Sequence, residues 1–105
     1  MNTNKSDKSI ELLEKIAGKK LTLSEFLLAI REGEELTQVE FAKKLNISRQ
    51  YVCDLEHSRR GVSPEMAARF ACKLGYAEEQ FIRLAIQDVL DRVGLPFQVE
   101  IQRAA

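Results

Sequence analysis

Closely spaced helix-start signals limit what the middle of this chain can fold into. Two signals are capping boxes, in which a threonine precedes a glutamate by three residues, and two are serine caps. They are Thr22 with Glu25, Thr37 with Glu40, Ser48, and Ser63 followed by Pro64. A fifth start follows at Glu78, where two acids favour the positive end of a helix dipole. The pattern predicts an all-α chain with helices at roughly 22–34, 37–45, 48–57, 64–74 and 78–93.

The predicted helices at 37–45 and 48–57 are joined by a very short turn. Asn46 lies where the chain must reverse, and asparagine tolerates the left-handed conformation that follows a helix. Ala42 is small enough to let the two helices cross closely. The side chains that would fill the wedge between them are Leu45, Val52 and Leu55. These requirements together predict a helix-turn-helix unit.

The two ends of the chain carry additional elements. Residues 1–20 are expected to form an N-terminal extension with a short amphipathic helix that ends at Gly18. The apolar side of that helix would consist of Ile10, Leu13, Ile16 and Ala17. Residues 21–77 form the predicted core domain, and 78–105 contain the long fifth helix and a C-terminal segment.

The pattern of residues 78–105 predicts a dimer interface as well as secondary structure. The fifth helix is apolar over more of its circumference than one small core can bury. After it, "FQVEIQ" alternates apolar and polar residues, which predicts a short β-strand. One strand in a helical chain needs a partner, either a second copy or another protein. The expected homodimer interface contains Ile82, Ile86, Val89, Leu90, Val93, Phe97, Val99 and Ile101.

Charge is distributed unevenly although the total is zero. The chain has 16 basic and 16 acidic residues. Residues 25–40 contain five acids and one base, whereas residues 41–61 contain five bases and two acids. A locally basic face can attract phosphates while the net charge vanishes, so nucleic acid is a possible partner of the second segment.

Other classes of function lack a matching pattern. Cys53 and His57 have helical i,i+4 spacing, but two ligands without a third are poor evidence for zinc. One histidine, no nucleophile–base arrangement and no glycine-rich phosphate loop argue against an enzyme, a metal or a cofactor. No apolar run is long enough for a membrane span or a signal peptide. With two separated cysteines, both expected to be reduced, we expect a cytoplasmic protein.

One continuous stretch carries a family resemblance, "LLAIREGEELTQVEFAKKLNISRQYVCDLEHSRRGVSPEMAARFACKLGY". It resembles the Cro/cI-type helix-turn-helix of the XRE family of transcriptional regulators, over roughly residues 23–77. The resemblance implies a five-helix, lambda-repressor-like domain. It also implies that the helix at 48–57 lies in the major groove of DNA, with the preceding helix near the backbone.

The resemblance assigns roles residue by residue. Base-facing positions match Arg49, Gln50 and Asp54. Positions that contact the DNA backbone match Gln38, Ser48, His57, Arg59 and Arg60. Arg31 and Glu56 match an internal ion pair that ties the first core helix to the recognition helix. The chain departs from the family at Asn46, where glycine is common, and at Tyr51, a large residue that could pack inward or lie on the DNA backbone.

Three functions remain open from the sequence. The first is a sequence-specific transcriptional regulator that represses by binding a near-palindromic operator as a homodimer. The second is an antitoxin, because compact XRE-type chains often resemble proteins that bind a toxin and repress their own operon. The third is a helix-turn-helix used only as a protein-interaction module, which the acidic stretch at 32–40 favours.

Overall fold

The computed structural model describes residues 6–104, except for the side chains of residues 6–10 and Ala17. It contains six helices within that range: α1 Ser6–Ala17, α2 Leu23–Gly33, α3 Gln38–Leu45, α4 Arg49–Glu56, α5 Pro64–Leu74 and α6 Glu78–Arg92. The predicted all-helical core is therefore confirmed, with α2–α6 close to the predicted bounds and α1 as the N-terminal extension. Among residues 6–104, no helix has the length and apolar content needed to cross a bilayer.

Side-chain caps explain where α2–α5 begin, whereas α6 begins after Ala77 without one. Thr22 accepts a hydrogen bond from the backbone N–H of Glu25 at 3.1 Å, and the Glu25 carboxylate accepts one from Thr22 N–H at 3.0 Å. Thr37 and Glu40 repeat this exchange at 3.1 and 2.8 Å. Each exchange satisfies two backbone donors that a helix leaves unpaired at its start. At the starts of α4 and α5, Ser48 and Ser63 each accept one backbone N–H, from Tyr51 and from Met66.

A left-handed residue makes the tight turn between α3 and α4. Asn46 has φ 60° and ψ 46°, and its N–H donates to the carbonyls that end α3. Ile47 N–H then bonds the carbonyl of Ala42 at 3.0 Å. Asparagine accepts this conformation at a lower cost than other residues that have a Cβ. The turn lets α4 pack against α3, and the small Ala42 is buried.

Aromatic side chains form the centre of the core on which α4 rests. Phe26, Phe41, Phe70 and Phe81 are fully buried and come from α2, α3, α5 and α6. The rings of Phe26 and Phe81 meet edge to face with centroids 5.7 Å apart. Burying each such ring contributes about 1.5–3 kcal/mol. Val52 and Leu55 of α4 are buried in the same cluster, so the opposite side of α4 faces outward.

The predicted C-terminal β-strand is wrong for the described residues, which contain no strand. Gly94, with φ 75°, ends α6, and the chain then turns back along that helix. The side-chain amide of Gln87 donates to the carbonyl of Phe97 at 2.9 Å and accepts from Val99 N–H at 2.8 Å. A glutamine of α6 thus provides the hydrogen bonds that a neighbouring strand would have supplied.

Candidate nucleic-acid interface

The outward side of α4 presents a short row of polar side chains. Arg49 and Gln50 are exposed in its first turn, and Asp54 lies half-buried one turn further along. The buried Val52 and Leu55 fix which side of the helix this is. The three residues predicted to contact bases therefore share one accessible face of one helix.

A chain of hydrogen bonds connects Arg49 to the interior. Arg49 Nη1 donates to Gln38 Oε1 at 3.0 Å, and Gln38 Nε2 donates to Glu56 Oε1 at 2.9 Å. Glu56 in turn accepts two hydrogen bonds from Arg31, one of them at 3.1 Å from Nη2. Arg31 Nη1 also donates to the carbonyl of Leu36 at 2.9 Å. This network joins α2, α3 and α4 and restrains the Arg49 guanidinium at the surface.

The inner part of this network is shielded from water. The Arg31 side chain is 17% exposed and the Glu56 side chain only 5%. The hydrogen bonds to the Glu56 carboxylate raise the pKa of Arg31. A paired charge with little solvent access holds its geometry more firmly than an exposed one, although its net contribution to stability can be small.

A second cluster contains Gln50, Asp54 and Arg59. Asp54 Oδ1 accepts from Gln50 Nε2 at 3.0 Å and from Arg59 Nε at 3.0 Å. The hydrogen bond from Gln50, followed by those from Arg59, lowers the pKa of the Asp54 carboxyl. Two predicted base contacts and one predicted backbone contact are therefore bonded to one another. The arginine offsets a carboxylate charge that would otherwise repel DNA phosphates.

Tyr51 lies inward and organises the loop that follows α4. Tyr51 is only 8% exposed, so it packs inward and does not lie on the DNA backbone. The Arg60 guanidinium carbon lies 3.9 Å from the centre of the Tyr51 ring, in cation–π geometry. The hydroxyl of Tyr51 donates to the carbonyl of Gly61 at 3.4 Å. Nothing in the sequence pattern indicated that Tyr51 positions Arg60, because the contact depends on how the loop folds back.

The remaining predicted backbone contacts surround α4. Ser48 is exposed, and its hydroxyl accepts the Tyr51 N–H while keeping its own proton for another acceptor. His57 is exposed, and its Nδ1 lies 2.8 Å from the carbonyl of Cys53, which leaves Nε2 outward. In the part of the chain that the structure describes, no three metal-ligating side chains come together.

Arginines pair with the two acids near α4, which explains how a chain with zero net charge presents a basic surface there. The segment at 41–61 has five bases and two acids, Asp54 and Glu56. Asp54 is paired within the segment by Arg59, and Glu56 is paired by Arg31 from outside it. Both negative charges near the exposed face of α4 are therefore compensated by neighbouring arginines.

The predicted dimer residues fall into two groups. Val89, Val93 and Phe97 are exposed by 56%, 66% and 65%. The half-buried members are Ile82, Ile86, Leu90, Val99 and Ile101. Val89 and Val93 share one side of the C-terminal end of α6. Phe97 lies in the following segment, which bonds to Gln87 on another side of the helix.

Comparisons with known proteins agree with this geometry. A family model described as helix-turn-helix matches residues 27–81. The immunity repressor protein of Bacillus phage phi105 is 38% identical over 55 residues, which cover 52% of this chain and 38% of that protein. The match thus spans less than half the length of that relative.

A solved structure is also similar. The crystal structure of the hypothetical transcription factor NHTF from Neisseria superposes with a TM-score of 0.51 at 25% sequence identity. The superposition covers 69% of this chain and 80% of that one. The family model spans α3, the Asn46 turn and α4, and the solved structure agrees with the overall fold. The chain belongs to the helix-turn-helix family of XRE type, a family of DNA-binding transcriptional regulators.

Proposed function

We propose that this protein is a transcriptional repressor that binds a near-palindromic operator as a homodimer and reads bases with α4. The observation that carries the proposal is the hydrogen-bonded chain from Arg31 through Glu56 and Gln38 to Arg49. A surface arginine normally samples many rotamers, and fixing it on DNA has an entropic cost. Here a partly buried network lowers that cost by restraining Arg49 before it meets a base.

Base reading is assigned to three side chains of α4. Arg49 would donate two hydrogen bonds to O6 and N7 of a guanine, and Gln50 would pair in a bidentate manner with an adenine. Asp54 would accept from N4 of a cytosine. In the free protein Gln50 and Asp54 bond each other at 3.0 Å, so binding exchanges this internal bond for bonds to bases.

Phosphate contacts are assigned to residues at the margins of α3 and α4. The Gln38 amide uses one N–H on Glu56, and its second N–H remains for a phosphate beside the N-terminus of α3. Ser48, His57 and Arg59 have exposed polar groups around α4. Arg60 is held over Tyr51 and would grip the backbone without reading sequence.

Dimer formation is assigned to the exposed apolar side chains of Val89, Val93 and Phe97. Val89 and Val93 are adjacent on the helix, and neighbouring exposed apolar side chains are more common at interaction sites than on monomer surfaces. A two-fold dimer would place two α4 helices in successive major grooves, about 34 Å apart. The repressor role is supported by the similarity to a phage immunity repressor.

The same exposed apolar side chains also suit a second candidate function. An antitoxin would bury Val89, Val93 and Phe97 against a toxin instead of a second copy. Operator binding and autoregulation would still depend on α4. The two functions differ in which protein covers these side chains, so the composition of the DNA-bound complex separates them.

Selection from a random double-stranded DNA pool at moderate salt tests the proposal. We expect an enriched near-palindrome whose half-sites lie about one helical turn apart. Two copies of the chain should bind each selected site, which analytical ultracentrifugation with labelled DNA measures. A pool without enrichment would contradict sequence-specific binding by this protein alone. An enriched half-site bound by one copy would contradict the homodimer and leave α4 as the reader.

A further inference from the structure

The extended segment 97–101 has hydrogen bonds to α6 along one of its backbone edges and, among the described residues, none along the other. Gln87 bonds the carbonyl of Phe97 and the N–H of Val99, which places both backbone groups on the side facing α6. In a β-strand, the backbone groups of residues two positions apart point to the same edge, as those of Phe97 and Val99 do here. Side-chain exposure also alternates from Gln98 to Gln102, as in an extended segment.

The open edge belongs to the intervening residues. With Phe97 and Val99 directed toward Gln87, the backbone groups of Gln98 and Glu100 are directed away from α6. Neither residue makes a hydrogen bond or ion pair with any residue that the structure describes. This open edge can therefore accept the backbone of another extended chain.

We propose that residues 97–101 pair antiparallel with the same residues of a second copy, about a two-fold axis at Val99. The inference rests on the proposed homodimer and adds the place and register of its pairing. Val99 lies opposite itself, Phe97 lies opposite Ile101, and Gln98 lies opposite Glu100. All apolar residues then share one face, and each carboxylate faces an amide that can donate to it.

Other registers that use the same open edge are less favourable. An axis at Glu100 sets two carboxylates directly opposite each other, which is destabilising. An axis at Gln98 brings Pro96 into a hydrogen-bonded position, where it has no N–H to donate. An axis at Ile101 sets Arg103 opposite Val99 on the apolar face. The segment is thus self-complementary when the two-fold axis passes through Val99, but not when it passes through a neighbouring residue.

The proposed pairing also covers part of the exposed apolar area. Phe97 is 65% exposed in the single chain and would lie over Ile101 of the second copy. Val89 and Val93 are also exposed, but they lie on another side of α6 from Gln87, so the pairing of residues 97–101 does not by itself cover them.

Cysteine cross-linking tests the register. In the proposed register, Val99 and Val99 of the second copy form a non-hydrogen-bonded pair. The Cα atoms of such a pair lie about 4.5 Å apart, which is within disulfide range. We expect Val99→Cys to oxidise to a covalent dimer at least about tenfold faster than Ile101→Cys, which lies far from its own counterpart. Mass spectrometry of the linked peptides distinguishes this disulfide from those through Cys53 and Cys72. Faster cross-linking at position 101 would overturn the register.

A matched pair of charge variants provides an independent measurement. Gln98→Glu sets a carboxylate opposite Glu100 twice in each dimer, whereas Gln102→Glu adds the same charge outside residues 97–101. We expect the dimer dissociation constant to rise about two- to thirtyfold for Gln98→Glu and to change less for Gln102→Glu. Equal effects would contradict the proposed pairing. Two chains per operator without cross-linking at position 99 would overturn the pairing alone, whereas one chain per operator would overturn the homodimer and the pairing together.

Discussion

Replacing Glu56 with leucine removes the acceptor at the centre of the network beneath α4. Arg31 would keep its charge with only 17% of its side chain exposed and would lose two hydrogen bonds. Breaking a buried ion pair costs about 3–5 kcal/mol. Because Arg31 keeps some access to water, we expect a loss of about 2–4 kcal/mol in the free energy of unfolding. In a domain of this size that lowers the melting temperature by roughly 10–25 °C.

A double variant separates stability from DNA recognition. Arg31→Met with Glu56→Leu replaces both charges by apolar side chains, which is often close to neutral for a buried pair. We expect the double variant to regain most of the stability lost by Glu56→Leu. Its affinity for the selected operator should stay reduced, because Gln38 has lost the acceptor through which it holds Arg49. Urea unfolding followed by circular dichroism and DNA-binding titrations measure the two effects.

The control for these variants is an ion pair at the surface. Glu79 and Arg103 lie 3.2 Å apart with side chains 43% and 71% exposed. Glu79→Gln should cost less than about 1 kcal/mol, because water screens such a pair. If Glu56→Leu cost no more than Glu79→Gln, the reasoning about the buried network would be refuted. A double variant with normal operator affinity would refute its role in orienting Arg49.

Three further predictions concern the turn, the loop and the first cap. Asn46→Ala should lower the free energy of unfolding by about 1–2 kcal/mol while Asn46→Gly leaves it nearly unchanged, as urea unfolding will measure. Tyr51→Leu keeps an apolar side chain but removes the ring beneath Arg60, so binding titrations should show affinity falling by a similar factor for all DNA sequences. Glu25 has its pKa lowered by the hydrogen bond from Lys19 and then by the cap at Thr22. Its contribution to stability is therefore present above its ordinary pKa of 4.5 and is lost as pH falls through the lower folded value. Glu25→Gln should flatten the decline of stability in acid, measured by unfolding at a series of pH values.

The core helices were predictable because their start signals are local. A capping box needs only two residues three positions apart, and the Asn46 turn needs only one residue that tolerates positive φ. The C-terminal segment was not predictable in the same way. Its alternation indicated an extended chain, but no sequence pattern shows that Gln87, ten residues before Phe97, supplies its hydrogen bonds.

The candidate site was predictable as a set of residues but not as a set of contacts. The family resemblance assigned roles to Arg49, Gln50 and Arg59 from their positions alone. It did not indicate that Asp54 joins Gln50 to Arg59, or that Tyr51 lies beneath the loop. These contacts depend on side-chain rotamers and on the path of the chain after α4, which short-range patterns do not encode.

Binding of two arginine variants to single-base variants of the selected operator tests the central claim most directly. The claim is that Arg49 reads a base and Arg60 contacts only the backbone. Arg49→Ala should lose about 1–3 kcal/mol on the operator and lose discrimination at one position of each half-site. Arg60→Ala should weaken binding to every sequence by a similar factor and reduce its salt dependence. A uniform loss from both variants, with discrimination intact, would contradict base reading by α4.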